Sequence, residues 1–88
     1  MTSKYLVMAM RTPDFDIETI EPHRRFLSEL LERGQLLESG RFTDGTGGAY
    51  VILAESLDAA REIAFTDPVH TSGSSELTVY EWEIAVSA

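Results

Sequence analysis

The chain has 88 residues, a net charge of −8 from 15 acidic against 7 basic side chains, and no cysteine. This length suits a single domain spanning residues 1–88, and the lack of cysteine excludes disulfides and thiolate metal sites and agrees with a cytoplasmic location. The acidic balance would repel phosphate backbones, so a nucleic-acid partner is not expected.

An apolar run from Tyr5 to Met10 is the first structural signal in the chain. Both alternating sets of its side chains are apolar, which predicts a strand that is covered on both faces. Arg11 closes the run after a few residues, and no small-residue cleavage pattern follows. We therefore expect neither a signal peptide nor a membrane partner.

A helix is predicted to begin between Thr19 and Pro22, because proline suits a first turn, and Gly34 is expected to end it. Its inward stripe follows helical spacing and consists of His23, Phe26, Leu27, Leu30 and Leu31. An ionisable ring therefore occupies a position where a leucine would be expected.

Two strand candidates follow, over Leu36–Phe42 and Ala49–Ala54, and a glycine-rich turn at residues 43–48 separates them. The turn is not a phosphate-binding loop, because no Lys followed by Ser or Thr comes after its last glycine. The pair predicts a β-hairpin.

Ser56 is a good N-cap for a second helix that runs to about Phe65. A loop over residues 67–75 and a long final strand over Glu76–Val86 complete the predicted elements. That strand would place four large apolar side chains on one side, namely Tyr80, Trp82, Ile84 and Val86.

The order strand, helix, strand, strand, helix, strand predicts an α+β fold, the split βαβ arrangement of ferredoxin-like domains. Both helices would cover one sheet face and leave an apolar face open on the other side. An apolar face of that size is typical of an association site. We therefore expect a homodimer whose sheets pack face to face, with Tyr80 and Trp82 in the interface.

Asp67 is the second candidate for chemistry, because Pro68 disfavours a helical conformation at the residue before it. The carboxylate is thus expected in a loop just past a helix end, where it can share a cleft with His23. An aspartate that accepts a hydrogen bond from one imidazole nitrogen fixes the tautomer and leaves the other nitrogen free to move a proton.

Several motifs together resemble the YciI-related (YCII) family, namely the apolar first strand, His23-x-x-Phe26-Leu27, Gly34-x-Leu36-Leu37-x-Ser39-Gly40, the glycine-rich hairpin and Asp67-Pro68. The resemblance implies a dimeric α+β barrel in which His23 and Asp67 form the catalytic pair. Two departures are Val69, where many relatives carry an aromatic residue, and the lack of a basic residue at positions 19–22.

The function expected from this pair is a cofactor-independent reaction on a small molecule, of lyase, dehalogenase-like or isomerase type. Five residues are expected to line its pocket, namely Ser39, Gly40, Arg41, Pro68 and His70. Arg11 and Arg41 are the expected contacts for an anionic ligand, whereas Arg24 and Arg25 are expected to pair with nearby Glu in solvent. No metal is expected, because the histidines lack paired ligand spacing.

The alternative hypothesis is a non-catalytic ligand-binding or accessory domain in which His23 and Asp67 form a structural pair. The two hypotheses differ in what they predict for the ring nitrogens of His23. Catalysis requires one nitrogen of His23 to face an open cavity, whereas a structural role predicts that protein groups bond both nitrogens.

Overall fold

The antiparallel sheet of the computed structural model, which describes residues 2–88, has four strands in the order β2-β3-β1-β4. In chain order the strands and helices are β1 (Ser3–Arg11), a 3-10 turn (Ile17–Thr19), α1 (Ile20–Glu32), β2 (Leu36–Arg41), β3 (Gly47–Ala54), α2 (Leu57–Ala64), α3 (Pro68–Thr71) and β4 (Ser75–Glu81). The predicted ferredoxin-like α+β fold is confirmed.

The core lies between the sheet and the helices. Alternation along β1 turns Tyr5 and Val7 to this side, and the register pairs them with Ile52 and Tyr50 of β3. Ala60 of α2 is fully buried, and its small side chain allows the helix to approach the strands closely. Burial of these apolar side chains is what holds the helices on the sheet.

The helix boundaries follow the local signals. Ser56 accepts a hydrogen bond from the Ala59 amide at 3.1 Å and caps α2, and Gly34 adopts φ +73° just after α1. The inward stripe of α1 ends at Leu30, which is buried. The expectation for Leu31 was wrong, because Leu31 lies about 100° farther around the helix than Leu30 and is 60% exposed.

The final strand is shorter than predicted. β4 ends at Glu81 rather than Val86, because the register pairs Glu81 with Tyr5 and β1 begins only two residues before Tyr5. One more hydrogen bond, from the Trp82 amide to the Lys4 carbonyl at 2.9 Å, completes the pairing.

Two other boundaries differ from expectation. β3 begins at Gly47, inside the segment predicted as a turn, and the short helix α3 occupies part of the predicted loop 67–75. Within β3 a Cβ at Gly48 would clash with the Gly40 carbonyl oxygen. The glycine is therefore needed for close approach of the strands as well as for the turn.

The sheet face opposite the helices is open and has an apolar centre, with Thr78 and Glu76 of β4 opposite Met8 and Met10 of β1. Leu6 and Met8 of β1 point to it, and Tyr80 of β4 lies opposite Leu6. Tyr80 and Trp82 are 52% and 45% exposed. We call this surface the outer face. Ile84 and Val86 lie beyond β4, so they do not extend its strand pattern.

Candidate active site

Asp67 lies at the start of α3, where Pro68 occupies the first turn. Its backbone is extended, as expected for a residue before proline, and its carboxylate caps the helix by accepting a hydrogen bond from the Val69 amide at 3.0 Å. The side chain is completely buried. A buried carboxylate needs several donors, and α1 and β3 supply them.

His23 supplies the first of these donors from the first turn of α1. Its Nδ1 lies 2.8 Å and 2.9 Å from the two carboxylate oxygens of Asp67. Because a carboxylate accepts hydrogen bonds, Nδ1 carries the proton and Nε2 keeps its lone pair. The His23 side chain is 23% exposed, and no group among residues 2–88 bonds Nε2.

Tyr50 supplies the second donor and was missed by the sequence reasoning. Its hydroxyl donates to the second oxygen of Asp67 at 3.0 Å, and its ring lies 6.1 Å from the His23 ring and 6.4 Å from that of Phe26. Burial, and then the charge of Asp67, raise the pKa of Tyr50 above its ordinary value, so the phenol stays a neutral donor. The signal was available, because an inward-facing tyrosine needs a polar partner.

A cavity of about 340 Å³ opens in front of His23, a volume near the lower end of ligand pockets in proteins. α1 and the neighbouring ends of β1, β2 and β3 form its walls. Its apolar part is formed by Phe15, Ile20, Leu27 and Val69. Its polar part includes His23, Tyr50 and Ser39.

The structure places three of the five expected pocket residues at the cavity. Ser39, Gly40 and Arg41 line the cavity, whereas Pro68 and His70 are not among its lining residues in the described part of the chain. α3 turns His70 away, and its ring stacks on Phe65 with the ring centroids 4.6 Å apart.

The cavity also has a basic edge. Arg11 and Arg41 line it, as the sequence suggested, and so does Arg24, which was expected to pair with a glutamate in solvent. Among residues 2–88 the ion pairs of arginine involve Arg33 and Arg61, and none involves these three side chains. Arg24 is exposed to solvent, as expected, but it lines the cavity and pairs with no glutamate among residues 2–88.

Residues 2–88 contain no group of three His, Asp or Glu side chains that could hold a metal ion. Within the same residues, no helix has the length and apolar character needed to cross a membrane.

Comparison with known proteins agrees with this fold. The chain is 49% identical over 80 residues to the uncharacterized protein YjpA of Bacillus subtilis (strain 168), an alignment that covers 91% of this chain and 94% of YjpA. The structure of 5-chloro-2-hydroxyhydroquinone dehydrochlorinase (TftG) from Burkholderia phenoliruptrix AC1100, in complex with 2,5-dihydroxybenzoquinone, matches with a TM-score of 0.76 at 20% identity, covering 91% of this chain and 93% of that one.

A second solved structure is a dimeric protein of unknown function and ferredoxin-like fold from Bacteroides fragilis NCTC 9343. It matches with a TM-score of 0.51 at 15% identity, covering 92% of this chain and 96% of the other. The YCII-related domain matches residues 3–83 of the present sequence. The chain therefore belongs to the YCII-related family, as its motifs predicted.

Proposed function

We propose that this protein is a cofactor-independent enzyme that acts on a small organic molecule, with His23 as the proton-transferring group and Asp67 as the residue that positions it. One observation carries the proposal. Nδ1 of His23 is held by a buried carboxylate, while the same ring lines a cavity and its Nε2 is bonded by no group among residues 2–88.

The pair forms an acid/base device. Nε2 takes a proton from a substrate carbon or hydroxyl next to an activating group, and the imidazolium that forms is stabilised by the carboxylate behind it. The same proton can return to another atom of the substrate. A positioned group of this kind accelerates a reaction about 10²- to 10⁴-fold. This acceleration is sufficient for the isomerisation of an activated molecule or for an elimination from it.

The likeness to the dehydrochlorinase makes elimination one of the reactions to test. Loss of HCl from a carbon skeleton needs a base for the proton, and His23 is placed to be such a base. At 20% identity the likeness extends to the fold alone, so the reaction class is proposed from the His23 site.

Proton exchange tests the proposal without knowledge of the natural substrate. A panel of small carbonyl compounds and hydroxyquinones is incubated with the protein in D₂O, and loss of C–H signals is followed by proton NMR. Release of chloride from 5-chloro-2-hydroxyhydroquinone is measured in parallel. We expect exchange or elimination with the wild type and a loss of about 10²-fold or more in His23→Gln.

His70→Gln is the matched control, because it removes the second histidine of the chain, which stacks on Phe65 outside the cavity. It should leave the rate unchanged. Equal rates in the His23 and His70 variants, or no reaction with any compound of the panel, would leave the pair with a structural role, as in the alternative of a ligand-binding or accessory domain.

We also propose that the protein is a homodimer joined through the outer face. Leu6, Met8, Tyr80 and Trp82 form an apolar surface on that face that water contacts in the monomer. The dimeric Bacteroides fragilis protein of the same fold supports this assembly.

A further inference from the structure

The charges of this protein are distributed unevenly around the cavity. The chain has 15 acidic side chains and 7 basic ones. Among the 16 described residues that line the cavity, three are arginines and none is an aspartate or a glutamate. The cavity therefore has a positive rim, formed by Arg11, Arg24 and Arg41, on a protein whose net charge is −8.

The sheet places two of these arginines on one side. In β2, Arg41 lies opposite Gly48, and in β1 Ala9 lies opposite the same glycine, with Arg11 two residues farther along. Because side chains alternate along a strand, Arg11 and Arg41 both point to the helix side of the sheet. Their strands are separated only by β3, a spacing of about 10 Å.

Arg24 completes the rim from α1, one residue after His23. Long side chains from one helix and two strands thus surround the same opening, and none of them is neutralised by an ion pair among residues 2–88.

Arg11 is also held in a defined position. Its guanidinium lies 4.1 Å from the centroid of the Phe15 ring, and both residues line the cavity. Beyond this cation–π contact the Arg11 guanidinium has no hydrogen bond or ion pair among residues 2–88, so its N–H edges are available to a ligand. Such edges match the paired oxygens of a carboxylate or phosphate.

We infer that the cavity binds a small organic anion, with its charged oxygens at the rim formed by Arg11, Arg24 and Arg41 and its reacting part against His23. The part of this inference that concerns His23 rests on the proposed function. The arginines would then have a second effect, because positive charge beside the cavity stabilises the negative charge that develops when His23 removes a proton.

A pair of matched probes tests the inference. Benzoate and benzamide have nearly the same shape and differ in charge, and phenyl phosphate offers the other common oxyanion. Their dissociation constants are measured by NMR titration of the wild type, of Arg11→Gln, Arg24→Gln and Arg41→Gln, and of His23→Gln. Arg25→Gln is the control, because this arginine is adjacent to Arg24 on α1 and is absent from the cavity lining.

We expect benzoate or phenyl phosphate to bind about tenfold or more tightly than benzamide, and the better of the two identifies the anionic group. Each rim variant should weaken anion binding several-fold, whereas the Arg25 variant should not. Added NaCl should weaken binding of the anions and leave that of benzamide unchanged. All four arginine side chains are exposed, so the substitutions should leave the fold intact.

Benzamide binding as tightly as the anions, equal affinities in the rim and Arg25 variants, or no binding of any probe at about 20 mM would each overturn the inference. The test is separate from that of catalysis. Arginine-dependent anion binding that persists in His23→Gln, without proton exchange in the wild type, would support the anion site and contradict the proposed reaction.

Discussion

Replacing Asp67 by asparagine should preserve the shape of the site and reverse the tautomer of His23. The carboxylate now accepts from Nδ1 of His23, the Tyr50 hydroxyl and the Val69 amide. An asparagine keeps one oxygen, which can still cap α3, but its amide nitrogen is a donor. With Oδ1 kept as the cap, the amide nitrogen replaces Oδ2, 2.9 Å from Nδ1. Nδ1 then becomes the acceptor, the proton moves to Nε2, and the Nε2 lone pair is lost.

The size of the effect follows from the same contacts. In a serine protease, an Asp-to-Asn change beside the catalytic histidine lowers kcat about 10⁴-fold because the tautomer is wrong. We expect a loss of proton exchange of about 10²- to 10⁴-fold here. The Tyr50 hydroxyl loses an ionised acceptor, which should lower the free energy of unfolding by about 1.5 to 3 kcal/mol.

Long-range ¹H–¹⁵N NMR of the imidazole identifies the protonated nitrogen directly. We expect Nδ1–H in the wild type and Nε2–H in Asp67→Asn, with urea denaturation measuring stability and the D₂O assay measuring proton exchange. The reasoning is refuted if the variant keeps Nδ1–H, or if the tautomer reverses and the exchange rate stays the same.

Three further predictions concern Tyr50, the outer face and β3. Because burial and Asp67 raise the pKa of Tyr50, above about pH 10 the unfolded chain loses the phenol proton while the folded protein keeps it. With rising pH the free energy of unfolding should therefore fall more steeply in the wild type than in Tyr50→Phe, by up to about 1.4 kcal/mol per pH unit. Urea denaturation at several pH values measures the difference. Parallel curves for the two proteins would contradict the prediction. Tyr80→Glu should raise the dissociation constant of the dimer about tenfold or more in sedimentation equilibrium. Leu31→Glu, an equally drastic change at an exposed leucine of α1, should not. A wild type that sediments as a monomer would refute the dimer. Gly48→Ala should lower the free energy of unfolding by about 1 to 3 kcal/mol through its clash with the Gly40 carbonyl, and Gly40→Ala, which has open space at its Cβ, should cost less; equal losses would show that the clash is relieved.

The elements with local signals were predicted well from sequence. Ser56 caps α2 through a bond to an amide three residues away, and Gly34 follows α1 with a positive φ. The end of β4 has no such local cause. It depends on where the partner strand β1 begins, and the apolar alternation through Val86 continues past that point.

The site was predicted in the same uneven way. The helical spacing of apolar residues predicted that His23 faces inward, and Pro68 predicted a loop at Asp67. In the structure the two side chains lie 2.8 Å apart. Arg24 follows His23 in the chain, but its access to the cavity depends on how α1 is rotated against the sheet. The orientation of the His70 side chain depends on α3, a four-residue helix that a sequence pattern cannot distinguish from a loop.

A structural role for Asp67 and a chemical role for His23 are compatible, because they use different atoms. The carboxylate caps α3 and satisfies Tyr50, so it would be needed for folding even if no reaction took place. The stability of an Asp67 variant therefore carries no information about catalysis. Nε2 of His23 has no bonding partner among residues 2–88 and contributes nothing to that network. Proton exchange, which depends on Nε2, separates an enzyme from a binding domain, whereas Asp67 fixes the Nδ1–H tautomer of the ring in either case.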